Sequence, residues 1–405
     1  MRLDGGVHLT YCSNIHPGES WPEVRANLEH HLLAVRERLR AAKAAPTTDF
    51  GIGLRLSAMA AAELARPAVL AEFRDFMAAN GLYVFTINGF PYGRFHGHRV
   101  KEEVYLPDWR DPERLRYTDQ LADLLAALLP DDTGLEGSVS SVPGAFKPAM
   151  RGAADVAAMV EHLLRHVAHL VELRRRSGRL VALALEPEPH CFLETIDEVI
   201  AFFQAELRSA AAIRRTAALA GLDAALAERA LHDHLGVCLD LCHAAVEFES
   251  LTDGVQRLAD AGIRVPKMQI SAGLRVPLVD APALAALRGF ADPVYLHQVV
   301  QRGPAGLQRH ADLPEAFAAL DPGFAEAREW RVHYHVPVFR ERLGPFSSTQ
   351  DFVREALAMQ RVHAVSRHLE VETYTWDVLP ERYRKVPVDE AVARELAWVI
   401  AELEA

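Results

Sequence analysis

The chain has 405 residues, 50% of them hydrophobic and 24% charged, a globular composition long enough for one large barrel or two ordinary domains. A formal net charge of -11 and a pI near 6.0 argue against broad binding to nucleic-acid phosphate. Cys12, Cys191, Cys238 and Cys242 form no CxxC pair, and no signal-peptide pattern or bilayer-length apolar run stands out, so the composition points to a cytoplasmic protein without a transmembrane segment.

Apolar runs bounded by turn residues alternate with long Ala/Leu/Arg-rich segments. VHLTYCSN (7 to 14) precedes a helix from about Trp21 to Ala45, and DFGIGLRLS (49 to 57) precedes an Ala-rich helix reaching about Asn80. LYVFTING (82 to 89) leads into a long aromatic, His-containing loop (89 to 114), then a helix from about Pro112 to Leu129. SVSSVPG (138 to 144) precedes a helix from about Ala153 to Arg176, and RLVALALEPEP (179 to 189) precedes one from about Thr195 to Ala205. An Ala-rich helix (217 to 234) comes before GVCLDLCHA (236 to 244), which is followed by IRVPKMQIS (263 to 271). HLEVETYTW (368 to 376) then precedes a last helix from about Val388 to Glu404.

Eight strands alternating with helices predict βα units and a parallel sheet, first a closed (β/α)8 TIM barrel and second an open doubly wound sheet. The open sheet would usually carry a glycine-rich phosphate turn after its first strand, which SNIHPGESW is not. YLHQVVQR (295 to 302) and WRVHYHVPVF (330 to 339) also read as strands but fall between the seventh and eighth barrel strands. They predict an inserted rim segment, about 290 to 345, within a single domain spanning 1 to 405.

In a barrel strand every second side chain faces inward, and the last inward one sits at the C-terminal mouth where active sites form. Parity puts Cys238 and Asp240 on one face, with His243 arriving as the chain turns; the alternative is that Asp240 caps the next helix and His243 is a core residue. Glu186 and Glu188 share a face, so one or both reach the mouth, although such residues also cap helices or form surface ion pairs. Lys267, Gln269 and Ser271 share a face, as do His368, Glu370, Glu372 and Tyr374. His333 and His335 pair on a strand that would otherwise be an exposed edge. His8, His16, His96, His98 and His297 read as ordinary polar residues, and Thr10, Asn14 and Asn88 as hydrogen-bonding rim residues.

Burying acids and imidazoles at several strand ends is costly unless a cation accompanies them. Mixed carboxylate, imidazole and amide donors suit Mn, Zn, Co or Fe better than Ca. Such an ion polarises a hydroxy-carbonyl substrate while a nearby carboxylate moves a proton, the logic of aldose-ketose isomerisation and epimerisation.

GVCLDLCH resembles the strand-end Asp-x-x-His of the xylose isomerase-like TIM barrels, which include sugar isomerases, epimerases and endonuclease IV. The resemblance implies metal-ligand roles for Asp240 and His243, for a bridging Glu at Glu186 or Glu188, and for Glu372 on the last strand. Where the superfamily usually has His or Asp, this chain has Gln269; His333 and His335 fall in the interval where endonuclease IV carries further ligands. More narrowly, HLTYCSNIHPGESW, GIGLRLS, FTINGFPYGRFHG, RVHYHVPVF and LEVETYTWDVLP are similar to the EboE family. Those proteins are described as metabolite traffic proteins of the ebo cluster, associated with moving a secondary-metabolite precursor alongside a UbiA-type prenyltransferase partner.

The combined expectation is a divalent-metal-dependent, sugar-phosphate isomerase- or epimerase-like protein acting on a small hydroxy-carbonyl or polyol metabolite. Glu186, Asp240, His243 and Glu372 are the expected ligands. Glu188, Gln269, His333 and His335 support or extend them. Glu186 and Glu372 are the expected proton-moving groups, and Lys267 stabilises an anion or enediolate. A non-catalytic metabolite carrier is the alternative, with a phosphodiester nuclease third.

Overall fold

The computed structural model describes residues 1–44, 49–97, 99–131, 134–320 and 328–405; Ala45 and His98, named above, lie outside them. Among the described residues, fourteen strands form two sheets. Eight are parallel: β1 (His8–Tyr11), β2 (Phe50–Arg55), β3 (Leu82–Asn88), β4 (Gly137–Ser141), β5 (Val181–Leu185), β6 (Leu235–Asp240), β7 (Arg264–Ile270) and, at the end of the chain, β14 (His368–Val371). Their order runs β1, β14, β7, β6, β5, β4, β3, β2. The architecture is an α/β TIM barrel.

The seam between β1 and β2 closes through side chains as much as backbone. Cys12 bridges Gly53 in parallel, and the Thr10 hydroxyl accepts from the Gly53 N–H at 3.1 Å while donating to the Gly51 carbonyl at 2.8 Å. Gly53 has to be a glycine: a Cβ there would lie 2.2 Å from a carboxylate oxygen of Glu370 and 2.5 Å from the Tyr11 carbonyl. The barrel interior at this level therefore holds charged groups where a hydrocarbon layer is usual.

Strand faces turned to the helices are apolar. Leu9, Ile52, Leu54, Val84, Ile87 and Val139 belong to one continuous buried cluster with residues of the helices around them. Helices begin where the sequence supplies caps, as at Ser20 with its reciprocal Glu23 bond and at Ser57, Asp111 and Thr195. The Ala-rich stretch expected as one helix over 217 to 234 is two, Ala210–Ala220 and Ala224–His234. Gly221 adopts a left-handed conformation (φ 62°) that ends the first, and the Asp223 side chain caps the second.

The inserted rim is larger than a strand pair. Immediately after β7 the chain continues into β8 (Ala272–Val276), and with β9 (Val299–Gly303), β10 (Gly306–His310), β11 (Glu329–Val336), β12 (Arg342–Leu343) and β13 (Phe346–Ser348) it builds a six-stranded sheet. These strands pair antiparallel. β8 escaped sequence reading because it follows β7 with one residue between and looks like its continuation. The helix Gln350–Val362 then returns the chain toward β14, so the sheet is an outgrowth of the seventh βα unit. Leu274, Val332 and Tyr334 of the sheet share the barrel's apolar cluster. β11 lies between β8 and β9, far from an edge, and its pairing with β8 shifts register between Val332 and Val336. A bulge of this kind re-aims side chains; here it covers His333 and His335.

Candidate metal centre

Barrel and rim meet over the C-terminal mouth. β5 ends at Leu185, and Glu186 and Glu188 follow it, both buried. β6 ends at Asp240, whose side chain caps the short helix Leu241–Val246 by accepting from the His243 N–H at 2.9 Å. The capping and ligand readings of Asp240 coexist. Oδ1 takes that bond and one from the Ser271 hydroxyl at 2.8 Å, while Oδ2 is buried with no partner.

Three imidazoles close the centre from above. His243 Nδ1 faces the Pro187 carbonyl at 2.9 Å, and His335 Nδ1 faces the Glu372 carbonyl at 2.9 Å. A carbonyl only accepts, so each Nδ1 carries the proton and each Nε2 is left with a lone pair. His333 Nδ1 lies 2.8 Å from Gln298 Oε1, an orientation fixed because the same amide donates to the Pro189 carbonyl and the Tyr105 hydroxyl. The Nε2 atoms of His243 and His333 stand 3.0 Å apart, and the Nε2 of His335 is buried without a partner. The Tyr374 hydroxyl is 3.4 Å from His333 Nε2.

The carboxylates repeat the pattern. Glu372 is gripped by three amides: Asn14 at 2.7 Å and Asn88 at 3.1 Å on one oxygen, Gln269 at 2.8 Å on the other. Glu188 receives the Tyr105 hydroxyl at 2.6 Å on one oxygen, and its other oxygen is buried and unpartnered, as is Oε2 of Glu186. Potential ligand atoms fall within 4.8 Å of one another in overlapping triads: Glu186, Asp240 and Glu372; Asp240, His243 and His335; Glu188, His243 and His333; Cys242, His333 and His335.

Burial, reinforced by Glu372 and Asp240, pushes the Glu186 carboxyl well above its usual range. Burial with the charges of Asp240 and Glu370 pushes Glu372 up to about 8, and burial also raises Glu188. The imidazoles respond in the opposite sense: burial and its histidine neighbours hold His333 well below the ordinary value, and burial brings His335 to about 4. Acids that resist losing protons and imidazoles that resist gaining them describe a cavity with too many lone pairs and too little positive charge. A divalent cation satisfies both demands at once. The residues present fit one.

Not every sequence candidate points into this space. Gln269 is occupied at both ends, donating to Glu372 and accepting from the Cys238 thiol at 3.0 Å, so it orients a carboxylate. Lys267 lies deeper in the barrel, fully buried, its ammonium 2.6 Å from Glu370 and 3.1 Å from the Ser140 hydroxyl. It neutralises the layer beneath the centre. His297, by contrast, supports the rim through the His333 carbonyl and Asp292. His8 and His16 lie elsewhere, each against a tyrosine hydroxyl. Sequence reading missed Tyr105, Gln298 and Cys242 as parts of the centre. Gln298 had a signal, since alternation in YLHQVVQR separates it from His297, but nothing in the sequence pairs β9 with β11.

No family model matches the chain, and no curated protein does. Among solved structures it is similar in fold to the IolI protein with a bound zinc atom (12% identity, 98% of each chain, TM-score 0.46). It is also similar to a xylose isomerase-like TIM barrel protein from Mycobacterium smegmatis in complex with magnesium (12% identity, 98% of this chain and 96% of that one, TM-score 0.48). A third is the probable 3-DHS dehydratase AsbF from Bacillus anthracis (12% identity, 96% and 97%, TM-score 0.45).

Proposed function

We propose that this protein is a divalent-metal-dependent isomerase- or epimerase-like enzyme that moves a proton on a small hydroxy-carbonyl or polyol metabolite. The observation that carries the reading is a set of four buried, unpartnered ligand atoms, one each on Glu186, Glu188, Asp240 and His335, on residues that belong to overlapping triads whose ligand atoms lie within 4.8 Å. Left bare, each would cost on the order of 1–3 kcal/mol. Deeper in the barrel the buried Glu370 has the Lys267 ammonium 2.6 Å away as its counter-charge, and no ion pair with a lysine or arginine is found at Glu186, Glu188 or Asp240 among the described residues.

Mn, Zn, Co or Fe would suit this nitrogen and oxygen donor set, and when bound would polarise a substrate carbonyl and hold its neighbouring hydroxyl. The chain's residues supply the rest. Glu186 and Glu372 reach the centre from β5 and β14 and both line the cavity above it. Carboxyls raised toward neutrality are suited to take a proton from one carbon and return it to its neighbour. The amides of Asn14, Asn88 and Gln269 hold Glu372 in one orientation throughout. The resemblance to the EboE family adds to this proposal a substrate handed on within ebo-type metabolite traffic, with a UbiA-type prenyltransferase among the partners.

The test is solvent exchange. Metal-loaded protein is incubated in D2O with a panel of simple ketoses and hydroxy-ketones, and deuterium at the carbon next to the carbonyl is read by NMR. Incorporation that disappears in Glu186→Gln and Glu372→Gln is the expected result. Metal-loaded protein that binds members of the panel yet exchanges nothing would identify a carrier and overturn the catalytic proposal.

A further inference from the structure

We infer that the mouth is gated by a seam between the loop after β3 and the rim, that this seam parts to let a ligand reach the centre, and that Lys101 is its latch. The inference rests on the metal-centred reading and goes beyond it by naming how the site is entered.

The space over the centre amounts to about 50 Å³, room for a few waters, where a small-molecule site takes about 300 Å³ or more. Side chains from both sides of the seam fill the difference: Phe95, Val100 and Lys101 from the loop, Tyr295 and Leu296 from the approach to β9. Little apolar packing holds the two sides together. Phe95, Val100 and Tyr295 are a buried cluster of their own, apart from the two large clusters of the barrel. Small satellite clusters under long loops open at lower cost than a core.

Polar bonds close the seam at one place. The N–H groups of Val100 and Lys101 both donate to the Val294 carbonyl, at 2.9 and 3.0 Å. The Lys101 ammonium then crosses into the rim, donating to the Tyr295 carbonyl at 2.5 Å, to Asp312 at 2.6 Å and to the Asp292 carbonyl at 3.2 Å. Asp312 is fixed independently, because its other oxygen accepts from the N–H groups of His297 and Leu313. The Lys101 backbone sits at φ 42°, a left-handed conformation that strains a residue with a side chain, so parting the seam relieves what closing it stores. The base of the loop is held differently. Phe90 and Tyr105 stack at 5.7 Å within the barrel's second cluster, and on the barrel side the Arg55 guanidinium binds the Gly93 carbonyl at 2.6 Å. The loop is thus tied to the barrel at its base and latched to the rim at Lys101.

Backbone deuterium exchange of the full metal-free chain, read by mass spectrometry, follows the seam directly. The stretch Lys101–Tyr105 is expected to exchange faster than β5 and β6. Lys101→Met, which keeps an unbranched stem without the ammonium, should speed that stretch at least tenfold and leave β5 and β6 unchanged. Release of Mn(II) from loaded protein to excess EDTA should accelerate at least tenfold in the same variant at equal bound metal. Phe95→Leu, which loosens the satellite cluster, should act in the same direction, and Arg174→Met, which breaks a surface ion pair with Asp233, should change neither rate. Exchange of the stretch at one rate in the parent and in Lys101→Met overturns the latch, and so does a speed-up shared by β5 and β6. Faster exchange with Mn(II) release unchanged overturns the gate, because the seam then opens without exposing the centre. A parent that takes up no Mn(II) defeats the metal-centred reading instead, and exchange in that metal-free chain still decides whether the seam parts.

Discussion

His243 and His333 meet nitrogen to nitrogen, Nε2 to Nε2 at 3.0 Å, with both Nδ1 atoms already committed to oxygen acceptors. One ring comes from the helix after β6 and the other from the rim sheet, ninety residues later. Two lone pairs at that separation repel unless something positive joins them, so the contact is a statement about charge as well as packing. Gln298→Leu leaves the His333 Nδ1–H without its acceptor and frees the ring to turn. Metal affinity should fall 10- to 100-fold, the usual effect of removing such an outer partner, as read by competition with a chelator.

Asp240→Asn should abolish metal retention while leaving the fold intact. The amide oxygen can still cap the helix as Oδ1 does now, and a repelling charge beside Glu186 and Glu372 is gone. The metal-free variant should therefore melt at or above the temperature of the metal-free parent. Adding Mn(II) should raise the melting temperature of the parent alone. At a hundredfold excess over its dissociation constant, binding contributes roughly 2.7 kcal/mol. A parallel rise in the variant would remove Asp240 from the centre.

Gly53→Ala tests the charged layer beneath the site. The new methyl has nowhere to go between Glu370, the Tyr11 backbone and Thr10, and Glu370 cannot move without leaving Lys267. Overpacking of this kind costs about 1–3 kcal/mol, and displacement of the buried pair adds to it. Denaturant melts should show a lower midpoint, and metal affinity should fall with it, because Gly53 abuts the seam closest to Glu370.

The barrel was legible in the sequence because each parallel strand is an apolar run between helices, a signal that depends only on neighbours in the chain. The strand-end acids were legible for the same reason: parity along LALEPEP, GVCLDLCH and HLEVETY decides which side chains share a face. The rim sheet was not. β8 hides as an extension of β7, β12 and β13 are two and three residues long, and the pairing of β11 with β8 joins residues as far apart in the chain as Ala272 and Val336. Lys267 shows the other limit. Parity placed it on the inward face, yet its depth in the barrel, hence its pairing with Glu370, follows from strand stagger that no single strand reveals.

The pH dependence of stability has a source outside the metal centre. Glu395, on the helix Val388–Glu404, is buried with its carboxyl raised to about 7 from an ordinary 4.5, chiefly by desolvation. Its oxygen accepts from the Val338 N–H at 3.0 Å and the Thr373 hydroxyl at 2.7 Å. Between pH 4.5 and 7 the folded chain holds a proton that the unfolded chain has released. The stabilisation is thus full below 4.5 and is lost as pH rises through 7. Glu395→Gln keeps the acceptor without the charge. Its stability relative to the parent should improve by on the order of 2 kcal/mol between pH 5 and pH 8, measured by urea melts at both values; an unchanged difference would mean that Glu395 ionises freely.

The most direct measurement is elemental analysis of the protein purified without chelator, paired with anomalous scattering from its crystals. The account predicts one or two equivalents of a transition ion, with density among Glu186, Asp240, His243, His333, His335 and Glu372. A metal-free protein whose melting temperature does not move on addition of Mn(II) or Zn(II) would contradict it.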